Sequence, residues 1–257
     1  MKPVPDPNEW DRLRMDPETK TLIREGIPSI INPLDKHALE AALEVKEASG
    51  AEVVVVSMAP PFGTSLLREA LAMGADRGVL VSDRAFAGSD TLATARILAT
   101  AIRKTGGADL VFCGNSTLDG STAQVPSQLA ECLGIPNVMH VRQMSLEGGR
   151  ILVTQRIEMG IVRIEAEAPL LLSFTKEANK PRFISFLGIL EAEKKEICVW
   201  GNEEMGLNLS SVGLSGSPTK MADMLVRKRQ RRGERLAGDP QEIARAVADR
   251  LYQLGIL

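Results

Sequence analysis

The stretch GNSTLDGSTAQVP, residues 114–126, carries a dense set of groups that can hold a ligand. It lies between ADLVFC, which predicts a buried strand, and SQLAECLG, which predicts a helix. Gly120 allows a phosphate to approach the backbone closely, while Ser121 and Thr122 offer hydroxyl donors. Asp119 can cap the helix or accept a hydrogen bond from a ribose. These groups suit nucleotide binding.

An ordinary turn is the simpler interpretation of the same stretch. Asp, Gly, Ser and Thr are common where a strand turns into a helix. The loop has neither the GxGxxG spacing nor the lysine of a Walker A motif. Gln124 adds a side-chain donor and an acceptor that could bind a ligand. Taken alone, the stretch predicts a turn more strongly than a phosphate site.

Two further loops follow predicted strands in the same way. They are SMAPP, residues 57–61, and SDRAFAGSDT, residues 82–91, and each leads into a helix. Ligands of an open parallel sheet bind outside the carboxyl ends of its strands, where helix N-termini favour anions. Thr91 and Thr94 can contact a ligand or bond back to their own helix. Three such loops favour a nucleotide as the ligand, but they do not identify which nucleotide it is.

Alternating strands and helices predict an α/β fold, with a parallel sheet covered by helices on both faces. Asp35, Thr64 and either Ser89 or Asp90 are the candidate helix caps. After Pro136 the pattern changes to antiparallel strands, with a hairpin turn near residues 159–160. Residues 180–218 look rich in loops, and Pro240 after Asp239 opens a final amphipathic helix.

The composition excludes several classes of function. The chain has 257 residues, a net charge of −2 and 4% aromatic residues, which disfavours nucleic acid as a partner. No apolar run reaches the roughly 20 residues that span a bilayer. His37 and His140 are the only histidines, and the three cysteines form no CxxC pair, so no metal site or catalytic triad is expected. The cysteine pattern suits a reducing cytoplasm.

Taken together, the segments of this chain resemble the β subunits of electron transfer flavoproteins. The resemblance covers nearly the whole chain, and the core DGxTAQV together with ALAMGADRG is specific. The matching segments are VPDPNE, DPETKTLIREGIPSIINPLDKHALEAALEVKE, VVVVSMAPP, LREALAMGADRGVLVSDRAFAGSDTLATA, ADLVFCGNSTLDGSTAQVPSQLAE and NKPRFISFLGILEAEKKEI.

The resemblance implies a three-layer αβα sandwich with a mostly parallel, Rossmann-like sheet that binds an adenine nucleotide. It also implies added antiparallel strands and a heterodimer with an α subunit that carries FAD. In ordinary members the β subunit holds AMP, whereas in the electron-bifurcating group it holds a second FAD that NADH reduces. IPSIINP, DRAFAGSDT and VGLSGSPT look most like the bifurcating group. In that group electrons pass to a ferredoxin or flavodoxin and, through the α subunit, to an acyl-CoA dehydrogenase-type partner.

The resemblance also implies which residues bind. No catalytic residue is expected, and Phe186 or Leu187 would be the apolar anchor that docks a partner dehydrogenase. The residues expected around the nucleotide are Pro5, Asp6, Asn32, Leu34, Asp35, Ser57, Met58, Ala59, Thr91, Thr94, Gly114, Asn115, Asp119, Gly120, Ser121, Thr122, Ala123, Gln124 and Val125.

The sequence departs from the family pattern in several places. The family's first strand, an apolar run before VPD, is missing, so either the start codon is placed too late or the sheet lacks a strand. Ser121, Pro126 and Ala59 replace residue types that are common there. We expect a nucleotide-binding domain over residues 1–190. Residues 191–257 are expected to form an extension that wraps the α subunit, and the role of the basic arm within this extension (227–235) is open. Structural AMP and a stand-alone nucleotide-binding protein of the universal-stress type remain alternatives.

Overall fold

A computed structural model of the chain describes residues 1–12, 14–15, 22–23, 26–220, 233 and 235–256. These residues fall into two compact units, Met1–Met221 and Ala222–Leu257. The predicted basic arm lies almost entirely outside the described residues.

The described residues form twelve strands and seven α-helices. The strands are β1 (Pro3–Pro5), β2 (Arg14–Met15), β3 (Leu22–Ile23), β4 (Ser29–Ile31), β5 (Val54–Met58), β6 (Arg77–Val81), β7 (Leu110–Gly114), β8 (Asn137–Glu147), β9 (Arg150–Ile157), β10 (Gly160–Ala166), β11 (Leu170–Phe174) and β12 (Ile197–Trp200). The helices are α1 (Pro33–Ser49), α2 (Gly63–Met73), α3 (Thr91–Lys104), α4 (Val125–Leu133), α5 (Phe186–Ala192), α6 (Asn202–Met205) and α7 (Pro240–Gln253).

The parallel strands are divided between two main sheets. One has the order β12-β6-β5 and is parallel throughout. The other has the order β10-β9-β8-β11-β7, in which β11 runs parallel to both β8 and β7. Its strands β8, β9 and β10 form an antiparallel meander with a turn at residues 158–159, as the alternating pattern predicts. Two antiparallel ribbons, β1-β4 and β2-β3, complete the pairing among the described residues.

Helices cover both faces of these sheets. Leu39 and Leu43 of α1 pack with Leu67 and Leu71 of α2 against β5 on one face. On the opposite face, α3 packs against β6 through residues such as Ile97, and against β7 and α4 through small alanines. Burying apolar residues on both sides explains why the strands lack alternation. The predicted α/β fold with helices on both faces is therefore confirmed.

β5 and β7 stand at the borders of their sheets, with one edge each that pairs with no strand among the described residues. The Met1 ammonium lies at this border and donates to the Val56 carbonyl oxygen at 2.6 Å. Burial raises the pKa of the Cys113 thiol on β7 to about 12, and the charge of this ammonium opposes that rise. The chain therefore enters the fold between β5 and β7.

Local sequence signals for helix ends are mostly confirmed. Asp90 caps α3 by accepting from the Ala93 N–H at 2.9 Å, and Asp239 caps α7. Gly50 ends α1 in the left-handed conformation that glycine tolerates. Two predicted caps are wrong, because α1 begins after Asn32 with Asp35 in its first turn, and α2 begins at Gly63 rather than after Thr64.

The expectation of a loop-rich segment over 180–218 is only partly correct. The chain there forms α5, β12 and α6, and β12 extends the sheet by pairing with β6 in parallel. These elements are four to seven residues long, so hydrophobic periodicity has too little length to reveal them.

Candidate functional site

The start of helix α1 organises the polar loop that follows β7. Asn32 is fully buried just before the helix. Its side-chain amide donates to the Ser116 carbonyl at 2.9 Å, and its side-chain oxygen accepts from the Leu118 N–H at 3.3 Å. A buried amide that satisfies backbone groups of another loop fixes that loop in place. Asn32 therefore supports the predicted nucleotide loop rather than capping its own helix.

Asp35 joins the same helix to the end of β7. One carboxylate oxygen accepts from the Gly114 N–H at 3.1 Å, and the other accepts from the Lys2 N–H at 2.7 Å. The approach is so close that a Cβ at Gly114 would stand 2.8 Å from the backbone nitrogen of Asp35. Glycine is therefore required at the carboxyl end of β7, because a side chain there would overlap the first turn of α1.

The crest of the loop has an unusual backbone. Ser121 and Ala123 adopt φ angles of 49° and 53°, in the left-handed region that non-glycine residues rarely enter. Gly120, Ser121 and Thr122 are exposed at this crest, above the base fixed by Asn32. The Gly120 N–H donates to the Asp119 carboxylate, and the Ser121 N–H and hydroxyl donate to the Thr117 carbonyl, so bonds within the loop hold this conformation. An exposed polar crest of this kind suits a polar ligand.

Lys2 is a site residue that the sequence analysis did not single out. Its ammonium donates to the Asp119 carboxylate at 2.7 Å, and the Asp119 side chain is only 6% exposed. Burial works to raise the pKa of Asp119, but the hydrogen bond and charge of Lys2 outweigh it and lower that pKa. A lysine two residues before VPD gives no recognisable signal, since its partner is 117 residues away.

Helix α3 reaches the loop from the other side. The Thr91 hydroxyl donates to the Gln124 side-chain oxygen at 3.1 Å, so two predicted residues meet. Asp90, next to Thr91, also accepts from the Thr219 N–H at 2.9 Å. Thr94 lies one turn further along α3, and its N–H bonds to the Asp90 carbonyl. The N-terminus of α3 and the 114–125 loop therefore form one surface.

The end of β5 provides the third side of the candidate site, beside the 114–125 loop and the N-terminus of α3. Ser57 is buried and lines a small cavity together with Lys2 and Ile31. Ala59 donates its N–H to the Val81 carbonyl. Its methyl carbon lies so close to Gly63 that a Cβ added at Gly63 would be 2.8 Å from it. The Ala59 methyl therefore packs toward the start of α2. Met58 lies between these residues at the last position of β5.

The structure thus brings most of the predicted residues to the carboxyl ends of β5 and β7, here called the candidate-site edge of the sheets. Asp6 is different, because its side chain accepts from Asn8 and its N–H donates to the Pro28 carbonyl, within the N-terminal ribbon. Pro5 is buried at the end of β1. The residues placed at the edge, or in the elements that end there, are Asn32, Leu34, Asp35, Ser57, Met58, Ala59, Thr91, Thr94, Gly114, Asn115, Asp119, Gly120, Ser121, Thr122, Ala123, Gln124 and Val125.

A second surface of interest is apolar. Phe183, Phe186 and Leu187, here called the 183–187 patch, are 99%, 74% and 69% exposed. The predicted anchors Phe186 and Leu187 lie on the first turn of α5 rather than in a loop, with Ser185 as the helix cap. Three large apolar side chains that are exposed within five residues of one another indicate an interaction surface.

These features define a class of protein: an α/β protein whose polar loops at one sheet edge suit a nucleotide. The sequence of the Electron transfer flavoprotein domain matches residues 19–205. The "Electron transfer flavoprotein subunit beta" of Thermoanaerobacterium thermosaccharolyticum is 47% identical over 252 residues, 98% of this chain and 95% of that protein. The chain belongs to the electron transfer flavoprotein β-subunit family.

Other relatives are similar over their whole length. The "Caffeyl-CoA reductase-Etf complex subunit CarD" of Acetobacterium woodii is 43% identical over 100% of this chain and 97% of its own. The "Acryloyl-CoA reductase electron transfer subunit gamma" of Anaerotignum propionicum is 38% identical over 100% and 98%. Within the described ranges, no helix is both long and apolar enough to cross a membrane.

Proposed function

We propose that this chain is the β subunit of a heterodimeric electron transfer flavoprotein and that it binds FAD at the 114–125 loop. The observation that carries the proposal is the exposed polar crest on a base that Asn32 and Asp35 hold rigidly. The crest fits the phosphates and ribose of an adenine nucleotide. That moiety is common to FAD and AMP, so the loop alone suits both.

The names of two relatives favour FAD with an active role. One is named as a subunit of a caffeyl-CoA reductase-Etf complex, and the other as an electron transfer subunit of an acryloyl-CoA reductase. FAD supplies two-electron and one-electron chemistry, which NADH-dependent bifurcation requires. We propose NADH as the donor, with a ferredoxin or flavodoxin and an acyl-CoA dehydrogenase-type partner as acceptors. The proposed location is the cytoplasm.

The residues have separate roles in this proposal. Ser121 and Thr122 at the exposed crest bind phosphate through their hydroxyl groups, and Lys2 balances the charge of Asp119 beside them. Thr91 and Gln124 close the side toward α3. The protein thereby orients the cofactor by hydrogen bonds and charge, without a nucleophile or a general base.

The nucleotide content of the purified αβ complex tests the cofactor. Two FAD per heterodimer, both reduced by NADH, would support the proposal. One FAD and one AMP would instead support the ordinary electron carrier. Purification without any α subunit, with a bound nucleotide, would support the stand-alone alternative.

Substitutions at the loop test the site. Thr122→Trp or Asp119→Lys should empty the β nucleotide site and leave the α-subunit FAD in place. Asp109→Lys, at an exposed position before β7, is the matched charge control and should retain both nucleotides. Unchanged nucleotide content in the first two variants would show that the site lies elsewhere.

We propose that the 183–187 patch docks the partner dehydrogenase. Replacing Phe186 and Leu187 by serine should slow electron transfer to or from the partner while the flavin content stays constant. Met159 and Ile161, exposed at the β9–β10 hairpin, provide a control pair of apolar-to-serine changes. Equal transfer rates in the Phe186/Leu187 variant and wild type would exclude docking through this patch.

A further inference from the structure

Helix α1 makes polar contacts with two regions that are distant in sequence. Its N-terminal end holds the 114–120 loop, as described above. Its side holds the segment 179–182 through His37, Glu40 and Glu47. Their spacing of three and seven places all three on one face of the helix. The segment 179–182 leads directly into the 183–187 patch.

The Glu40–Arg182 pair is the main contact between α1 and this segment. The Glu40 side chain is 8% exposed, and it accepts from the Arg182 N–H at 2.9 Å. It also accepts from Nε and Nη2 of the guanidinium at 3.0 Å each, which makes the pair bidentate. Glu47, which is exposed, accepts from Nη1 at 2.5 Å. One buried carboxylate therefore fixes both the backbone and the side chain of Arg182.

A second pair holds the same segment three residues earlier. The Asn179 side-chain amide donates to the His37 carbonyl at 2.9 Å, and its oxygen lies 2.9 Å from the His37 Nδ1. The segment 179–182 is therefore held at two points along α1. Such a double attachment sets its direction as well as its distance from the helix.

The 183–187 patch lies immediately after this attachment and before another. Phe183 is almost fully exposed, so it gains little positional restraint from its own contacts. On the far side, Gly188 in α5 packs against the Ala72 carbonyl so closely that a Cβ there would overlap it. The orientation of the patch is therefore imposed from its two ends, by Arg182 on one and by Gly188 on the other.

We propose that Glu40 and Arg182 are positioning residues for the 183–187 patch and that they set how the partner dehydrogenase docks. The inference rests on the docking role proposed above. Bidentate geometry matters here because a planar guanidinium fixes an angle that a lysine ammonium does not. The pair also attaches the segment before the patch to helix α1, whose N-terminal end contacts the nucleotide loop. One helix therefore links the patch to the proposed cofactor site.

The test uses the intact αβ complex with a butyryl-CoA dehydrogenase as the probe partner, butyryl-CoA as reductant and a tetrazolium dye as the terminal acceptor that reoxidises the flavins. Arg182→Lys keeps the charge but removes the bidentate contact, and Glu40→Gln keeps the shape but removes the charge. Both should raise the KM for the dehydrogenase by about tenfold or more, because a misdirected patch weakens docking, and a loss of about 1.4 kcal/mol of binding free energy is tenfold in affinity. The kcat at saturating dehydrogenase and the nucleotide content should stay within twofold of wild type. Amide hydrogen exchange over 184–190 should become faster.

Control variants separate the possible failures. Glu47→Gln removes only the exposed partner of Arg182, and it should leave the KM unchanged. A normal KM in both Arg182→Lys and Glu40→Gln, with a raised KM in the Phe186/Leu187 serine variant, would overturn the positioning role alone. A normal KM in the serine variant as well would overturn the docking proposal and this inference with it. If Glu40→Gln does not assemble, Arg182→Lys, at a partly exposed position, decides the outcome.

Discussion

Ala123 shows how single residues shape the loop. At its φ of 53°, a Cβ costs roughly 1–2 kcal/mol, whereas glycine adopts this conformation freely but loses more entropy on folding. We expect Ala123→Gly to raise the free energy of unfolding by up to about 1 kcal/mol in nucleotide-free protein, and to weaken AMP binding because the crest is less preorganised. Urea denaturation and an AMP titration measure the two effects.

Ala51→Gly is the matched control for this change. Ala51 is exposed before β5, and its φ is not in the left-handed region. The same substitution there should lower the free energy of unfolding by about 0.5–1 kcal/mol. If both variants are destabilised equally, the backbone of Ala123 carries no strain.

Asp119 makes a prediction about pH. Its pKa in the folded protein is below its ordinary value, so the pairing with Lys2 stabilises the fold fully above the pKa of the unfolded chain, near 3.8. This stabilisation is lost as the pH falls through the lower, folded pKa. Asp119→Asn should therefore lose less stability than wild type between pH 6 and pH 3, measured by urea denaturation at each pH. Asp109→Asn, at an exposed position, is the control, and an acid slope in Asp119→Asn equal to that of wild type would contradict the prediction.

The elements of this fold were predictable where their signals are local. Gly50 and Asp90 mark helix ends because each acts on backbone within four residues of itself. Asp35 and Glu40 were not predictable in their true roles, since their partners lie 79 and 142 residues away. The resemblance to a family supplied the site that local patterns left as a turn, while Lys2 and the helical form of α5 emerged only from the structure.

The border between β5 and β7 makes a prediction at the scale of elements. Each strand has an edge that pairs with no described strand, and the Met1 ammonium already bonds to Val56 there. Met1 and Lys2 lead toward the carboxyl ends of both strands, so residues added before Met1 would run parallel to them. Five added residues that alternate valine and isoleucine should pair with these edges and raise the Tm by about 2 °C or more.

A five-residue Gly-Ser extension controls for length. It cannot supply apolar side chains to the border, so its Tm should stay near that of the unextended chain. Equal Tm values for the two extensions would mean that the border accepts no strand.

At the scale of the whole molecule, the second unit presents an amphipathic helix. Ile243, Val247 and Leu254 of the segment around α7 recur at spacings of four and seven, which places them on one face. Val247 and Leu254 are 42% and 65% exposed. An apolar helical face of this kind suits burial against another chain, and the expected extension that wraps the α subunit includes it. Replacing Val247 and Leu254 by serine should weaken α-subunit binding by about tenfold or more, since each buried aliphatic side chain contributes on the order of 1–3 kcal/mol.

The measurement is the dissociation of the co-purified αβ complex on dilution, followed by size-exclusion chromatography. Tyr252 lies on the opposite face of α7 and is 77% exposed, so Tyr252→Ser removes a large exposed side chain without changing the apolar face. That control should dissociate like wild type. The thermal midpoint of the first unit should be the same in all three proteins, because Met1–Met221 forms a compact unit by itself. If the Val247/Leu254 variant dissociates at the wild-type concentration, this apolar face of α7 does not contact the α subunit, and binding by the extension would have to use other residues.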